Sequence, residues 1–177
     1  HEIGILIGDA TGDSVPAAVV MTAVHGALAA LLTGDPDEVR DTGRVLERVN
    51  RSLFRTRRLP HFMSLVYGVI DTQSLRFTYS NAGHPTPLLI REGEPIALDS
   101  HGILLGIVEE SEYQSESIEL RPRDIVVGFS DGISEARSVN AEFFGSDGVV
   151  RSLGLNGHEA DAVTDRKSTR LNSSHVS

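Results

Sequence analysis

Apolar residues fall along the chain in blocks whose period changes once, near residue 62. HEIGILIGD (1–9) is a short Ile-rich run with the look of a buried strand, and it ends in an acidic turn. VPAAVVMTAVHGALAALL (15–32) is apolar on nearly every side, which predicts a helix packed on one face against a sheet and tightly covered elsewhere. Ser14 is suited to cap it, and Pro16 falls in its first turn, where no backbone donor is lost. A second helix is expected with Asp35 as its cap, Pro36 at its first position, and Asp37 and Glu38 at the positive end of its dipole. Val39, Thr42, Leu46, Val49 and Leu53 recur on one face of it. Arg40, Arg44, Arg48 and Arg51 lie largely opposite, as on a solvated surface.

From residue 62 the period is two. FMSLVYGVID (62–71) and LRFTYSNAG (75–83) flank TQS and read as a hairpin, and TPLLIREG (86–93) with EPIALD (94–99) reads as another. YQSESIEL (113–120) alternates, IVVGFSDG (125–132) is a buried strand ending in a second acidic turn, and GSDGVVRSL (145–153) begins a further helix. Two helices, a run of antiparallel strands and a closing helix make an α+β order rather than alternating β-α units.

Composition changes this picture in three places. With 177 residues, 40% of them apolar, the chain can bury one core, and 5% aromatic content without Trp predicts a core of Val, Ile, Leu and Ala. The absence of Cys excludes disulfides, thiolate metal sites and a Cys nucleophile. A net charge of −9 argues against nucleic acid as the main partner and favours bound cations. Residues 166–177, RKSTRLNSSHVS, hold the single Lys of the chain, have no period, and read as a disordered tail foreign to the domain. Residues 1–165 are the domain proper. The chain opens on His1 rather than Met and reads as a piece of a longer protein. The 15–32 run approaches the ~20 residues that span a bilayer, but Pro16, Thr22, His25, Gly26 and its many alanines favour a buried helix, with no membrane contact and a cytoplasmic location.

The chemistry concentrates in two turns of one design. IGILIGDATG (3–12) and IVVGFSDGIS (125–134) each run an apolar strand into an Asp followed by small residues. Asp9 and Asp131 are thus candidates to project from two core strands into one cleft. Two carboxylates brought together repel, and without a cation one would take a proton. Hard oxygen donors and no Cys point to Mg²⁺ or Mn²⁺ rather than Zn²⁺. Taken singly, each Asp is equally suited to form a turn or cap a helix.

GDATGDSVPAAVVM (8–21), FTYSNAGHPTPLLI (77–90), GILLGI (102–107) and LRPRDIVVGFSDGISEARSVNAEFFG (120–145) together resemble the bacterial PP2C-type (PPM) serine/threonine phosphatases. The nearest branch is the sporulation and stress-response group that regulates sigma factors. The resemblance implies a four-layer αββα sandwich, two antiparallel sheets flanked by helices, here incomplete, with a two-metal Mn²⁺ or Mg²⁺ site at one end. It implies that Asp9 bridges both ions, that the Ala10 carbonyl binds one, and that Asp131, followed by Gly132, is the second acid. The implied reaction is hydrolysis of phosphoserine or phosphothreonine by metal-activated water, on a phosphorylated protein of the anti-sigma-factor-antagonist type. Asn81 and His84 of NAGHP fall in a family block near the catalytic end; Asn81 suits a turn, and His84 is a candidate to orient a water or a phosphate oxygen. His25 and His61 read as structural, and Glu135 and Arg137 as helix or loop formers.

The chain departs from the family pattern in three ways. Asp13-Ser14 stand where the family has His-Gly, and the family's first acidic strand and its closing Asp-Asp-x-Thr strand fall outside the matching region. These departures keep open a PPM-like module that binds a phosphoprotein without turnover, and they predict weak catalysis by these residues alone. A haloacid-dehalogenase reading of SDG would need Asp-x-Asp after the first strand and a parallel sheet, and the sequence offers neither. Homodimerisation is a further expectation from the resemblance.

Overall fold

The computed structural model describes residues 1–12, 14–34, 36–56, 62–136 and 143–153. In chain order the elements are β1 (Glu2–Ala10), α1 (Ser14–Leu32), α2 (Pro36–Arg40), α3 (Thr42–Arg55), β2 (Met63–Asp71), β3 (Arg76–Ala82), β4 (Leu88–Arg91), β5 (Glu94–Ala97), β6 (Glu116–Glu119), β7 (Ile125–Val127), α4 (Asp131–Ser134) and α5 (Gly145–Leu153). One antiparallel sheet runs β1-β2-β3-β6 and a second runs β5-β4-β7.

Register decides which side chains meet which layer. β1 pairs with β2 so that Ile3, Ile5, Ile7 and Asp9 stand opposite Ile70, Gly68, Val66 and Ser64. Directly opposed residues in an antiparallel pair share a face. That face carries Phe77 and Tyr79 of β3 opposite Ile70 and Gly68. Phe77 and Tyr79 form one core with Leu89 and Leu98, and Ile5, Ile70, Ile96 and Val126 pack against it, so this face looks into the space between the sheets. The opposite face of the first sheet, with Ala10, Met63, Leu65, Tyr67 and Val69, packs on Val20, Val24 and Leu28 of α1 and Val45, Leu46, Val49 and Leu53 of α3. The outer face of the second sheet, with Leu88 and Ile90, packs on Val149 of α5 and on Phe129. Helices, sheet, sheet and helix follow one another, so the αββα layering expected from the sequence is the architecture found.

Two expectations about the helices are revised. α1 is covered on one side only: Val20, Val24 and Leu28 are buried, but Val15 is 73% exposed and Val19, Met21 and Leu32 are exposed as well. Its apolar stretch is long enough to cross a membrane by length and composition, yet one side of it packs on α3. The helix predicted from Asp35 to Leu53 is two helices. Asp41 interrupts it and caps α3, its carboxylate accepting from the Arg44 N–H at 3.1 Å. The break lets buried Thr42 reach Ser80 of β3, hydroxyl to hydroxyl at 2.8 Å, while the Ser115 hydroxyl accepts from the Gly43 N–H at 2.8 Å. Asp13, Asp35, His61, Arg137 and the 166–177 tail lie outside the described residues.

Residues 98–115 cross from β5 to β6 without regular structure, yet they are fastened at several points. Buried Asn50 donates from Nδ2 to the carbonyls of Val108 and Glu109 at 2.8 and 3.0 Å and accepts the Gly106 N–H at 2.8 Å. Leu105 pairs backbone to backbone with Met63. This segment lies over the turn after β3, where Gly83 has φ +69° and a Cβ would stand 2.9 Å from Leu104. Only glycine fits there without strain.

Candidate functional site

Asp9 is the last residue of β1 on the face that looks between the sheets, one step beyond Ile7 and directly opposite Ser64. Ala10 turns the other way and is buried against the helix layer. The turn that follows is pinned by Thr11: its N–H donates to the Phe62 carbonyl at 2.9 Å, and its hydroxyl accepts the Phe62 N–H at 2.9 Å. Gly12 then takes φ +98°, which a side chain would disfavour.

Asp131 comes from the second sheet. β7 ends at Val127, buried Phe129 anchors the exit in the core beside Val149, and Asp131 opens the single turn of α4. The Glu135 N–H donates to the Asp131 carbonyl at 2.7 Å. Asp131 and Gly132 are exposed, and a Cβ on Gly132 would meet only Ser130 Oγ at 3.8 Å, so the turn is open to an approaching group.

His84 lies where these two turns face each other. The residue is 5% exposed. Asn81 holds its backbone in a reciprocal brace: the His84 N–H donates to Asn81 Oδ1 at 2.7 Å, and Asn81 Nδ2 donates to the His84 carbonyl at 2.8 Å. Nδ1 is hydrogen-bonded to the Ser64 hydroxyl at 2.8 Å. Burial pushes the imidazole below its ordinary pKa, while the charges of Asp9 and Asp131 and the Phe129 backbone carbonyl pull it back up. Both acids therefore act on one ring, although 121 residues lie between them in the sequence.

The structure thus brings Asp9, His84 and Asp131 to one end of the sandwich, with Ala10 and Gly132 beside their acids. His25 is exposed on α1 and Glu135 on the turn after α4. Among the described residues no three or more His, Asp and Glu side chains gather as a metal cage. The donor set present is two carboxylates and the backbone carbonyls of two open turns. Such a set of oxygen donors suits a hard divalent cation that keeps part of its water shell better than Zn²⁺, whose sites are built mainly on His nitrogen and Cys sulfur. Ser64 is the site residue that sequence reasoning missed. Its place opposite Asp9 is a matter of strand register, which the alternating pattern of FMSLVYGVID does not specify.

The model of the stage II sporulation protein E (SpoIIE) family matches residues 1–174. The chain belongs to the SpoIIE family. One curated relative of this SpoIIE-family chain is the phosphoserine phosphatase RsbU of Bacillus subtilis, 29% identical over 142 residues that cover 79% of this chain and 41% of RsbU. Among solved structures, the SiaA-PP2C domain of Pseudomonas aeruginosa superposes with a TM-score of 0.76 at 17% identity, covering 97% of this chain and 71% of that one. The catalytic domain of the serine/threonine phosphatase PstP, solved with two manganese ions, gives 0.65 at 17% identity, covering 87% and 75%. These likenesses establish a PP2C-like α+β fold. The SpoIIE-family chain spans less than half the length of the curated relatives it matches.

Proposed function

We propose that the chain is the catalytic part of a divalent-metal-dependent protein phosphatase that hydrolyses phosphoserine or phosphothreonine on a bacterial signalling protein of the anti-sigma-factor-antagonist type. The observation that carries this reading is the convergence of Asp9 and Asp131 on one buried imidazole, in a chain of the SpoIIE family. Asp9, the Ala10 carbonyl, Asp131 and the peptide around Gly132 would hold Mn²⁺ or Mg²⁺, two ions in the complete site. When bound, such ions supply Lewis acidity and a water of lowered pKa. The protein's own part is geometric. Asp9 is fixed by a ladder at the end of β1, Asp131 by the anchoring of Phe129, and the open surface around Gly132 leaves room for a phosphorylated peptide.

The test uses the full chain, a phosphoserine protein substrate and Mn²⁺. Phosphate release that Asp9→Asn and Asp131→Asn each reduce at least a hundredfold supports the proposal; release that neither change alters overturns it. A second reading is favoured by one observation: among the described residues only two acids stand where a cage of three or more would hold an ion firmly. On that reading the chain binds a phosphoprotein with impaired turnover, and calorimetry would find partner binding without heat on adding Mn²⁺. The uncovered side of α1, with Val15, Val19 and Met21, supports a homodimer. Sedimentation of the chain and of Val19→Asp would report that association.

A further inference from the structure

Close to the two acids, the sheets touch through Ile7 and Gly128. Side chains alternate along β7: Val126 packs into the core between the sheets, while Ile125 and Val127 pack outward with buried Phe129. The same alternation turns position 128 inward, and glycine stands there. A Cβ built on Gly128 would lie 3.4 Å from Ile7 Cδ1, 3.4 Å from Ile7 Cγ2 and 4.0 Å from Ile7 Cβ. Its three nearest heavy atoms thus belong to a single side chain of the other sheet. Gly128 has no positive φ, so the backbone conformation there does not call for glycine. What the missing side chain leaves is room, and Ile7 fills it. Ile7 stands two residues before Asp9 on the same ladder, and Gly128 stands three residues before Asp131.

From this contact, and resting on the metal-dependent reading above, we propose that Ile7 and Gly128 are a spacer that sets the distance between Asp9 and Asp131. Packed interiors do not compress, so the bulk held between two strands fixes how near they come. An isoleucine against a bare position lets β1 and the exit of β7 approach closer than two branched side chains would. The ladder to β2 carries the position of Ile7 on to Asp9, and the burial of Phe129 carries that of Gly128 toward Asp131. A hard divalent ion is strict about such spacing: Mg²⁺ takes its oxygens at about 2.0–2.1 Å. Moving one acid by the width of a methyl group takes it out of reach of an ion held by the other. Neither Ile7 nor Gly128 touches the ion on this account; both act through the acids. Residues that orient metal ligands in this indirect way commonly change affinity by roughly 10- to 100-fold.

The chain has no cysteine, so a paired substitution reads the contact directly. Disulfides join Cβ atoms roughly 3.5–4.5 Å apart, and the 4.0 Å from Ile7 Cβ to position 128 falls in that range. Ile7→Cys/Gly128→Cys in the full chain, treated with oxidised glutathione, should therefore close an intramolecular disulfide, as thiol titration would show. By calorimetry its oxidised form should bind Mn²⁺ at least as tightly as its reduced form. Gly128→Ala puts a methyl at ordinary contact distance and should bind Mn²⁺ within about threefold of the wild type. Gly128→Val should bind about tenfold more weakly. Ile7→Ala/Gly128→Val moves bulk from one strand to the other without changing the carbon count, and should return to within about threefold of the wild type. Amide exchange in the metal-free chain is the second readout: Gly128→Val should speed exchange at residues 8–12 and 129–132 together, and the paired change should slow both again. A dithiol that stays open in the folded chain, Mn²⁺ affinity unchanged in Gly128→Val, or a paired variant as impaired as Gly128→Val would each overturn the spacer. If the wild type binds no Mn²⁺, the metal-dependent reading fails by itself, and cross-linking with amide exchange still decides whether Ile7 and Gly128 space the two turns.

Discussion

Asn50→Ala tests how far the long connection before β6 depends on a single side chain. Asn50 is fully buried, and it makes three hydrogen bonds of 2.8 to 3.0 Å to residues 106, 108 and 109. Truncation leaves the Gly106 N–H and two carbonyls without a protein partner. At a net worth of about 1 kcal/mol per bond, the loss is about 3 kcal/mol. For a domain near 150 residues each kcal/mol moves the thermal midpoint by about 2–4 °C, so the expected fall is about 6–12 °C. The damage should also be local. Leu105 and Met63 exchange backbone hydrogen bonds of 2.9 and 3.2 Å, and Met63 precedes Ser64. Amides of residues 104–109 and of Met63 should therefore lose more exchange protection than the drop in global stability accounts for. Asn50→Asp sharpens the test, since it keeps the acceptor for Gly106 but turns an oxygen toward two carbonyls; it should be at least as destabilising as Asn50→Ala. Circular-dichroism melts and amide exchange of the three proteins measure this. A midpoint for Asn50→Ala within about 2 °C of the wild type would refute the reasoning.

Two glycines should respond to alanine in opposite directions. At Gly43 a Cβ would stand 2.1 Å from the Tyr113 carbonyl oxygen, which cannot give way without moving the chain, so Gly43→Ala should lose about 3 kcal/mol or more in urea unfolding. At Gly26 a Cβ would meet nothing within 4 Å, and Gly26→Ala on a helix should gain about 1 kcal/mol. A further test concerns acid. Arg91 donates to both oxygens of Asp124 at 3.1 and 2.7 Å, and the Arg121 N–H adds a third bond at 2.8 Å, which together hold that carboxyl below its ordinary value of 3.8. A carboxylate with a depressed folded pKa contributes stability above its unfolded value and loses it as pH falls through the folded one. Wild type should therefore exceed Asp124→Asn in urea stability at pH 7 and at pH 5, with the gap closing below about pH 4. A gap as large at pH 2.5 as at pH 7 would contradict this account of Asp124.

Much of this protein is local and was legible in its residues. Period-two runs, turn chemistry at Asp71–Ser74 and Glu92–Gly93, and the apolar 15–32 block set nearly every element, because propensity and patterning act over a few neighbours. The acidic turns at Asp9 and Asp131 were legible as a repeated design, and their chemistry as a demand for positive charge. Three things needed the tertiary structure. The break at Asp41 follows from Thr42 bonding to Ser80 and Gly43 packing under Tyr113, contacts no local pattern contains. The exposed side of α1 depends on which layers surround it, and an all-apolar helix reads the same whether covered or bare. The neighbourhood of Asp9, with Ser64 opposite and His84 behind, is set by register, since a slip of one residue would send each side chain to the other face. The sequence by itself determined the elements and the kind of atoms at the site. Only the packing of two sheets decided that Asp9 and Asp131 answer to one histidine, because their separation in space depends on how the layers stack and not on the residues between them.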